Sequence, residues 1–167
     1  MVIPVYRGAA TLPGVVEELL AGSPWVAGSV QAEISEVVVH DHGPDNSAEV
    51  IRELAARDPR VHPVWLSRNF GQHGATLAGM AASTQEWIVT MDEDGQHDPR
   101  FVAPMIAAAV EQQASVVYGA PSNAPTHGLL RNAASSGAKT LVSTVTGDRS
   151  IRLMQSYRLV LGELGRT

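Results

Sequence analysis

Short apolar runs alternate with stretches of helical apolar spacing along most of this chain. The runs are rich in β-branched residues and end at turn residues, which predicts buried strands at residues 2–6, 34–39, 61–66, 87–91 and 115–119. Helices are predicted between them, at about residues 11–20, 48–57, 73–83 and 100–113. Strands that alternate with helices form a mostly parallel sheet covered on both faces, so a three-layer α/β fold is predicted.

Local signals assign the other segments. Pro4 has no N–H to donate, which places it at a sheet edge or at the exit of its strand. Residues 22–28 and 120–128 are predicted loops, residues 129–146 a helix, and residues 155–160 a strand that leads into a helical turn. Because the sequence has no convincing linker or repeat, residues 1–167 are expected to form one domain.

Composition excludes several classes of protein. A net charge of −5 leaves no basic stripe, which argues against a nucleic-acid binder. The absence of cysteine excludes a disulfide scaffold and thiolate catalysis, and it fits a reducing compartment. No apolar run approaches the length of a membrane span, so any membrane contact is expected to be peripheral or made by segments outside this sequence. A cytoplasmic location, peripheral at the cytoplasmic face of a membrane, is the resulting expectation.

The predicted strand at residues 87–91 runs directly into an acidic loop. Asp92 and Asp94 lie two residues apart, so both side chains point to the same side of an extended segment. Their carboxylates, with the amide oxygen of Gln96, suit an oxygen-preferring dication such as Mg²⁺ or Mn²⁺. Solvated turn and capping residues are the alternative interpretation. The loop spacing does not match an EF-hand.

Two further polar loops follow predicted strands, around Asp41 and around Arg68-Asn69. Because the carboxyl ends of parallel strands share one edge of a sheet, these loops are expected to converge there with the acidic loop. The sequence contains no Gly-x-x-x-x-Gly-Lys loop, no Gly-x-Gly-x-x-Gly, no Gly-x-Ser-x-Gly elbow and no His-Glu-x-x-His helix. The usual signatures of ATPases, dinucleotide enzymes, serine hydrolases and zinc proteases are therefore missing.

Four motifs resemble, in this order, those of the inverting family 2 glycosyltransferases: residues 2–6, 39–47, 67–72 and 91–99. With residues 117–119 they cover most of the chain up to Gly119. Within the family they are most similar to the dolichol- or polyprenyl-phosphate sugar synthases. The resemblance implies a Rossmann-like GT-A fold. It also implies metal-dependent transfer, with inversion, of a sugar from a UDP- or GDP-linked donor to a polyprenyl phosphate.

The same resemblance implies which residues bind the nucleotide sugar: Pro4, Tyr6, Asp41, Asp92 and Gln96. Asp41 would contact the base, whereas Asp92 and Asp94 would bind the diphosphate through Mg²⁺ or Mn²⁺. Gln96 would assist at the metal, and Asp94 is implied to be catalytic together with Arg131.

The acceptor phosphate is implied to contact Arg131, Ser135 and Arg158. Arg158 belongs to the Ser-Tyr-Arg-Leu segment at residues 156–159, for which residues 150–153 are a rival placement. A leaving diphosphate carries negative charge that a dication and a basic residue stabilise. A phosphate acceptor is already ionised, so it needs no strongly tuned base.

Several alternatives stay open. The chain is also interpretable as a family 2 transferase that acts on a saccharide or natural product, or as a catalytically silent nucleotide-binding relative. Asp41 could cap a helix, and Arg131 could be solvated. His97 could be a ligand or only a hydrogen-bonding residue beside the acids, and His40 with His42 could bind a soft metal.

The chain departs from the family pattern at three places. His-Asp-His-Gly at residues 40–43 replaces Asp-Asp-Gly-Ser, Arg7-Gly8 replaces Asn-Glu, and Gly95 replaces a leucine. Relatives continue past the position of Leu164 with an amphipathic segment or membrane helices, so truncation at the C-terminus is expected. The sequence fixes neither the nucleotide base, nor the sugar, nor the oligomeric state.

Overall fold

A computed structural model describes residues 1–119 and 156–167 of the chain. The strands are β1 (Val2–Val5), β2 (Trp25–Ala27), β3 (Val30–Ala32), β4 (Glu36–His40), β5 (Val61–Trp65), β6 (Trp87–Thr90), β7 (Val116–Tyr118) and β8 (Arg158–Leu161). The helices are α1 (Leu12–Gly22), α2 (Ser47–Arg57), α3 (Gly71–Ala82), α4 (Val102–Gln112) and the short α5 (Gly162–Gly165). The predicted loop at 120–128 and helix at 129–146 lie outside the described residues. Among the helices just named, none is long and apolar enough to cross a membrane.

Six strands form one sheet in the order β5-β4-β1-β6-β8-β7. β5, β4, β1 and β6 are parallel, whereas β8 runs antiparallel to β6 and to β7. Parallel neighbours need crossover connections, and α1, α2 and α3 supply them. The prediction of a mostly parallel sheet is confirmed.

Helices cover both faces of this sheet. Along β1, Ile3 lies in the larger core with apolar side chains of α1, α2 and α4. Its neighbour Val2 faces the opposite side and packs in a second core with α3. A Cβ added to Gly79 of α3 would overlap Cγ1 of Val2, which explains why this helix is rich in small residues. The predicted three-layer arrangement is confirmed.

Pro4 corrects one expectation. It does not lie at a sheet edge, because β1 is an interior strand between β4 and β6. However, β1 pairs with β6 only at Val2, opposite Thr90. Pro4 lies two residues further on and therefore faces the same neighbour, where the strands have already separated. Its missing N–H falls at the exit of the strand pair, which was the other predicted position.

A hairpin replaces part of the predicted loop at residues 22–28. β2 and β3 pair antiparallel, with Trp25 opposite Ala32, and Gly28 in the turn has a φ of 61°. Trp25 is buried in the larger core, so tertiary packing stabilises a hairpin whose strands are too short to give a periodic sequence signal. The next strand, β4, begins at Glu36 rather than at the predicted Ile34.

Glu36 is fully buried, and neither of its carboxylate oxygens has a hydrogen-bond partner in the described part of the chain. Burial raises the pKa of Glu36 from 4.5 to about 7, although the Met1 amino group and Arg60 oppose the shift. The folded state therefore holds a proton that the unfolded chain has already released between these pKa values. Consequently, this group lowers the stability of the fold as the pH rises from 4.5 to about 7.

We expect Glu36→Gln to remove this pH dependence and to raise the free energy of unfolding at pH 8 by about 2–3 kcal/mol. At pH 4 the variant and the parent protein should be similar, because both then carry a neutral side chain. Urea unfolding at both pH values provides the measurement. Glu49→Gln, which changes an exposed glutamate of α2, is the control. If the free energy of unfolding changed equally with pH in the parent and in Glu36→Gln, the raised pKa of Glu36 would be contradicted.

Candidate functional site

A pocket of about 470 Å³ opens where β1 and β6 separate at their carboxyl ends. Crevices of this kind are the usual ligand sites of open parallel sheets. The pocket is lined by Pro4, Tyr6, Asp41, Asp92 and Asp94, five of the six residues predicted to bind the donor or the metal. The sixth, Gln96, is exposed and lies outside this lining. A cavity of about 380 Å³ at the opposite edge of the sheet has no carboxylate in its lining.

Asp92 is held from three directions. Nε2 of Gln72 donates a hydrogen bond to Oδ1 of Asp92 at 2.5 Å, and the Ser156 hydroxyl donates to Oδ2 at 2.7 Å. The backbone N–H of Asp92 donates to Nδ1 of His97 at 3.1 Å. Gln72 lies in the first turn of α3 and Ser156 lies two residues before β8, so residues far apart in sequence fix one carboxylate. Neither was predicted as a site residue, although Gln72 lies in one of the four motifs and Ser156 begins the Ser-Tyr-Arg-Leu segment.

His97 orients the acidic loop. Its ring stacks on Tyr157 with 4.8 Å between centroids, and the Tyr157 hydroxyl donates to the backbone oxygen of Asp98 at 2.8 Å. Burial lowers the pKa of His97, although Asp92 and Asp94 oppose the shift. The neutral imidazole is therefore favoured, which suits an Nδ1 that accepts a hydrogen bond. Of the two interpretations of His97, the geometry supports hydrogen bonding.

Asp94 lies at the mouth of the pocket and is exposed. Its Oδ1 accepts the backbone N–H of Gln96 at 3.1 Å, across a turn in which Gly95 has a φ of 72°. The usual leucine at position 95 would be strained in this conformation, whereas glycine adopts it readily. The positive φ at this position thus explains why the chain has glycine where the family pattern has leucine.

Asp92 and Asp94 offer two carboxylates to a metal ion at the pocket. Within residues 1–119 and 156–167, no group of three or more His, Cys, Asp or Glu side chains could hold a metal by itself. Mg²⁺ in phosphate-handling sites commonly takes only one or two carboxylates, and substrate phosphates and water complete its coordination. Two pocket-facing carboxylates fit that kind of dication site.

Asp41 is 2% exposed at the end of β4, and its Oδ1 accepts the backbone N–H of Phe70 at 2.7 Å. It does not cap the helix that follows it, because Asp45 accepts the N–H of Ser47 at the start of α2. The bond to Phe70 instead holds the loop before α3 beside the pocket. The structure therefore brings the three predicted loops together at one edge of the sheet.

His40 and His42 do not make a soft-metal site in the described part of the chain. Their ring centroids are 6.4 Å apart, and no third ligand joins them. The ring of His40 packs against Trp65 at 5.4 Å, and burial lowers the pKa of His40.

The loop after β1 is held by side chains from two other loops, which sequence analysis missed. Four successive backbone N–H groups donate to them: Tyr6 and Arg7 to the Glu93 carboxylate at 3.0 and 3.1 Å, Gly8 to the Ser47 hydroxyl at 3.0 Å, and Ala9 to the Asp45 carboxylate at 3.1 Å. Burial raises the pKa of Glu93. The alternation of an extended segment would point Glu93 away from its two neighbours. The turn in the acidic loop instead lets all three acids line the pocket.

Arg158 is the one predicted acceptor-phosphate residue that the structure describes. It lies in β8 between Thr90 of β6 and Tyr118 of β7. Its Nε is buried without a hydrogen-bond partner in the described residues. Arg131, Ser135 and the rival segment at 150–153 lie outside those residues. The Ser156 contact with Asp92 places the segment at residues 156–159 beside the acidic loop.

The fold and the position of the pocket define a GT-A glycosyltransferase domain. A glucosyl-3-phosphoglycerate synthase from Mycobacterium tuberculosis, solved with Mn²⁺, UDP-glucose and phosphoglyceric acid, has a TM-score of 0.67 and 16% identity. The match covers 98% of this chain and 56% of that one. The mannosyltransferase PcManGT from Pyrobaculum calidifontis, solved with GDP-Man and Mn²⁺, has a TM-score of 0.55 and 19% identity over 71% of this chain and 34% of that one. The GT-A prediction is confirmed.

The chain belongs to glycosyl transferase family 2, because residues 1–154 match the sequence profile of that family. It is similar to an undecaprenyl-phosphate 4-deoxy-4-formamido-L-arabinose transferase from Shewanella sediminis, with 38% identity over 118 residues. That match covers 70% of this chain and 34% of the relative. The chain spans a third to under half of the length of the curated relatives it matches. The family resemblance drawn from the motifs is confirmed.

Proposed function

We propose that this protein transfers a sugar from a nucleoside-diphosphate sugar to a polyprenyl phosphate, with inversion and with help from Mg²⁺ or Mn²⁺. We further propose that it acts peripherally at the cytoplasmic face of a membrane. Family membership and the names of the relatives support the reaction class. The observation that carries the proposal is the pair of carboxylates, Asp92 and Asp94, at a pocket whose lining also includes Asp41 and Tyr6.

The pocket-lining residues Asp41, Pro4, Tyr6 and Asp92 each have a role in this proposal. Asp41, nearly buried and fixed by Phe70, takes an N–H of the nucleotide base. Pro4 and Tyr6 line the same part of the pocket. Asp92 is already oriented by Gln72 and Ser156, so little ordering remains to be done when the donor binds.

Asp92 and Asp94 would hold the dication, with Gln96 as an additional oxygen ligand. The bound dication supplies positive charge that stabilises the diphosphate as it leaves the sugar. Arg131, Ser135 and Arg158 would hold the acceptor phosphate, and half-buried Arg158 lies opposite Thr90, at the end of β6 that leads to Asp92. Because that phosphate is ionised at neutral pH, its oxygen attacks the sugar without a strong general base.

The direct test is incubation with vesicles that contain undecaprenyl phosphate, Mn²⁺ and radiolabelled UDP- or GDP-linked sugars. The expected product is an acid-labile, lipid-linked sugar that forms with one donor class and requires the metal. A radiolabelled saccharide in place of a lipid product would indicate another acceptor. If the protein binds nucleotide but gives neither transfer nor donor hydrolysis, a silent binding module is the better description.

A further inference from the structure

We propose that Glu93 is a positioning residue that sets the spacing between the loop after β1 and the acidic pair Asp92 and Asp94. The inference rests on the proposed function, because the pocket that Glu93 shapes is the proposed donor site. Glu93 is assigned no contact with the donor or the metal. It acts through Tyr6 on one wall of the pocket and through Asp92 and Asp94 on the other.

The contact is a pair of charge-assisted hydrogen bonds. Oε2 of Glu93 accepts the N–H of Tyr6 at 3.0 Å, and Oε1 accepts the N–H of Arg7 at 3.1 Å. The partners are 87 and 86 residues apart in sequence. Two oxygens of one carboxylate on two successive backbone donors define both a distance and an orientation. The rim of the pocket therefore has a fixed width on this side.

The neighbouring anchors of this loop come from elsewhere. Gly8 and Ala9 donate to Ser47 and Asp45, which belong to the segment that begins α2. The side-chain hydrogen bonds of Glu93, by contrast, join the loop after β1 to the acidic loop. Removing Asp45 should thus loosen the same loop without changing its spacing from Asp92 and Asp94.

The Glu93 carboxylate fits only because residue 8 is glycine. A Cβ built on Gly8 would lie 2.6 Å from Oε2 of Glu93 and 3.0 Å from Cγ1 of Val5. A methyl group at position 8 would therefore displace the carboxylate from the Tyr6 and Arg7 amides. The contact with Val5 is present whether or not Glu93 is there. Any effect of Gly8→Ala that depends on Glu93 must consequently come from this displacement.

A double-mutant cycle tests the proposal, with Gly8→Ala, Glu93→Ala and the double variant compared with the parent protein. The readouts are the Kd for UDP and GDP with and without Mn²⁺, and the Tm. We expect each single change to weaken nucleotide binding in Mn²⁺ by about ten-fold, the equivalent of one charge-assisted hydrogen bond. Binding without Mn²⁺ should change little. In the Glu93→Ala background, Gly8→Ala should have almost no further effect on nucleotide binding in Mn²⁺, although its contact with Val5 can still lower Tm. Asp45→Ala is the matched control, which should lower Tm but preserve the gain in affinity from Mn²⁺.

The proposal would be overturned if Gly8→Ala and Glu93→Ala had additive effects on the Kd in Mn²⁺. It would also be overturned if Mn²⁺ raised the nucleotide affinity of Glu93→Ala as much as that of the parent. Glu93→Gln provides the same measurement if Glu93→Ala does not fold, because an amide offers its NH₂ to one of the two N–H donors. If the parent protein binds no nucleotide with Mn²⁺, the proposed function fails. The Tm values of the four proteins still test whether Glu93 holds the Tyr6 and Arg7 amides. In that case Gly8→Ala must lower Tm by clearly more in the parent than in Glu93→Ala, where only the contact with Val5 remains, or the inference is wrong.

Discussion

Replacing Asp92 with alanine is expected to reduce sugar transfer by about 10³-fold or more, while the fold is retained. Of the two acids proposed to bind the metal, Asp92 is the one held at both oxygens, with Gln72 on one and Ser156 on the other. Its loss removes one of the two carboxylates proposed to bind the metal and leaves the Gln72 and Ser156 donors without their acceptor. The assay is formation of lipid-linked sugar at saturating Mn²⁺, accompanied by a Tm measurement.

Asp98→Ala is the matched control for Asp92→Ala. Asp98 has the same charge and lies in the same loop, but its side chain accepts hydrogen bonds from Arg100 and caps the turn before α4. Loss of this cap should cost about 1 kcal/mol of stability and leave transfer largely intact. Similar activities of the two variants would show that the loop's charge, rather than the position of Asp92, matters.

Gly43→Ala is expected to lower the free energy of unfolding by about 3 kcal/mol or more, and with it nucleotide binding. A Cβ on Gly43 would overlap the backbone carbonyl of Tyr6, and neither backbone can move without disturbing the loop that Glu93 and Ser47 hold. For a chain of this size the corresponding fall in Tm is about 6–12 °C. Thermal unfolding with and without nucleotide and Mn²⁺ provides the measurement.

Gly14→Ala is the matched control, and it is expected to change stability in the opposite direction. Gly14 lies in the first turn of α1 and is exposed, and an added Cβ there meets nothing within 4 Å. Alanine in a helix loses less backbone entropy on folding than glycine, so the variant should be more stable by up to about 1 kcal/mol. Equal Tm values for the two alanine variants would contradict the close approach of the loops at Gly43 and Tyr6.

Sequence reasoning predicted the parts of this protein that depend on local pattern. β-branched runs predicted the principal strands, and apolar residues at helical spacing predicted the helices between them. The position of Asp92 and Asp94 directly after β6 predicted the edge of the sheet where the pocket lies. These features follow from strand and helix periodicity and from the shared direction of parallel strands.

The features that sequence reasoning missed depend on contacts between distant segments. Nothing near Glu93 indicates that its carboxylate binds the Tyr6 and Arg7 amides, because both lie more than 80 residues away. The β2–β3 hairpin depends on burial of Trp25, and the interior position of Pro4 depends on where β1 and β6 separate. Each is a product of tertiary packing, which single-segment patterns do not contain.

The central claim is a metal-dependent donor site at Asp92 and Asp94. Calorimetric titration with UDP and GDP, with and without Mn²⁺, on the parent protein and on Asp94→Ala tests it most directly. We predict that one nucleotide binds tightly in Mn²⁺, that its binding is much weaker without the metal, and that Asp94→Ala abolishes the metal-dependent gain in affinity. If neither nucleotide binds under any condition, or if Asp94→Ala binds as the parent does, the donor-site assignment is contradicted and the acidic loop is a solvated turn.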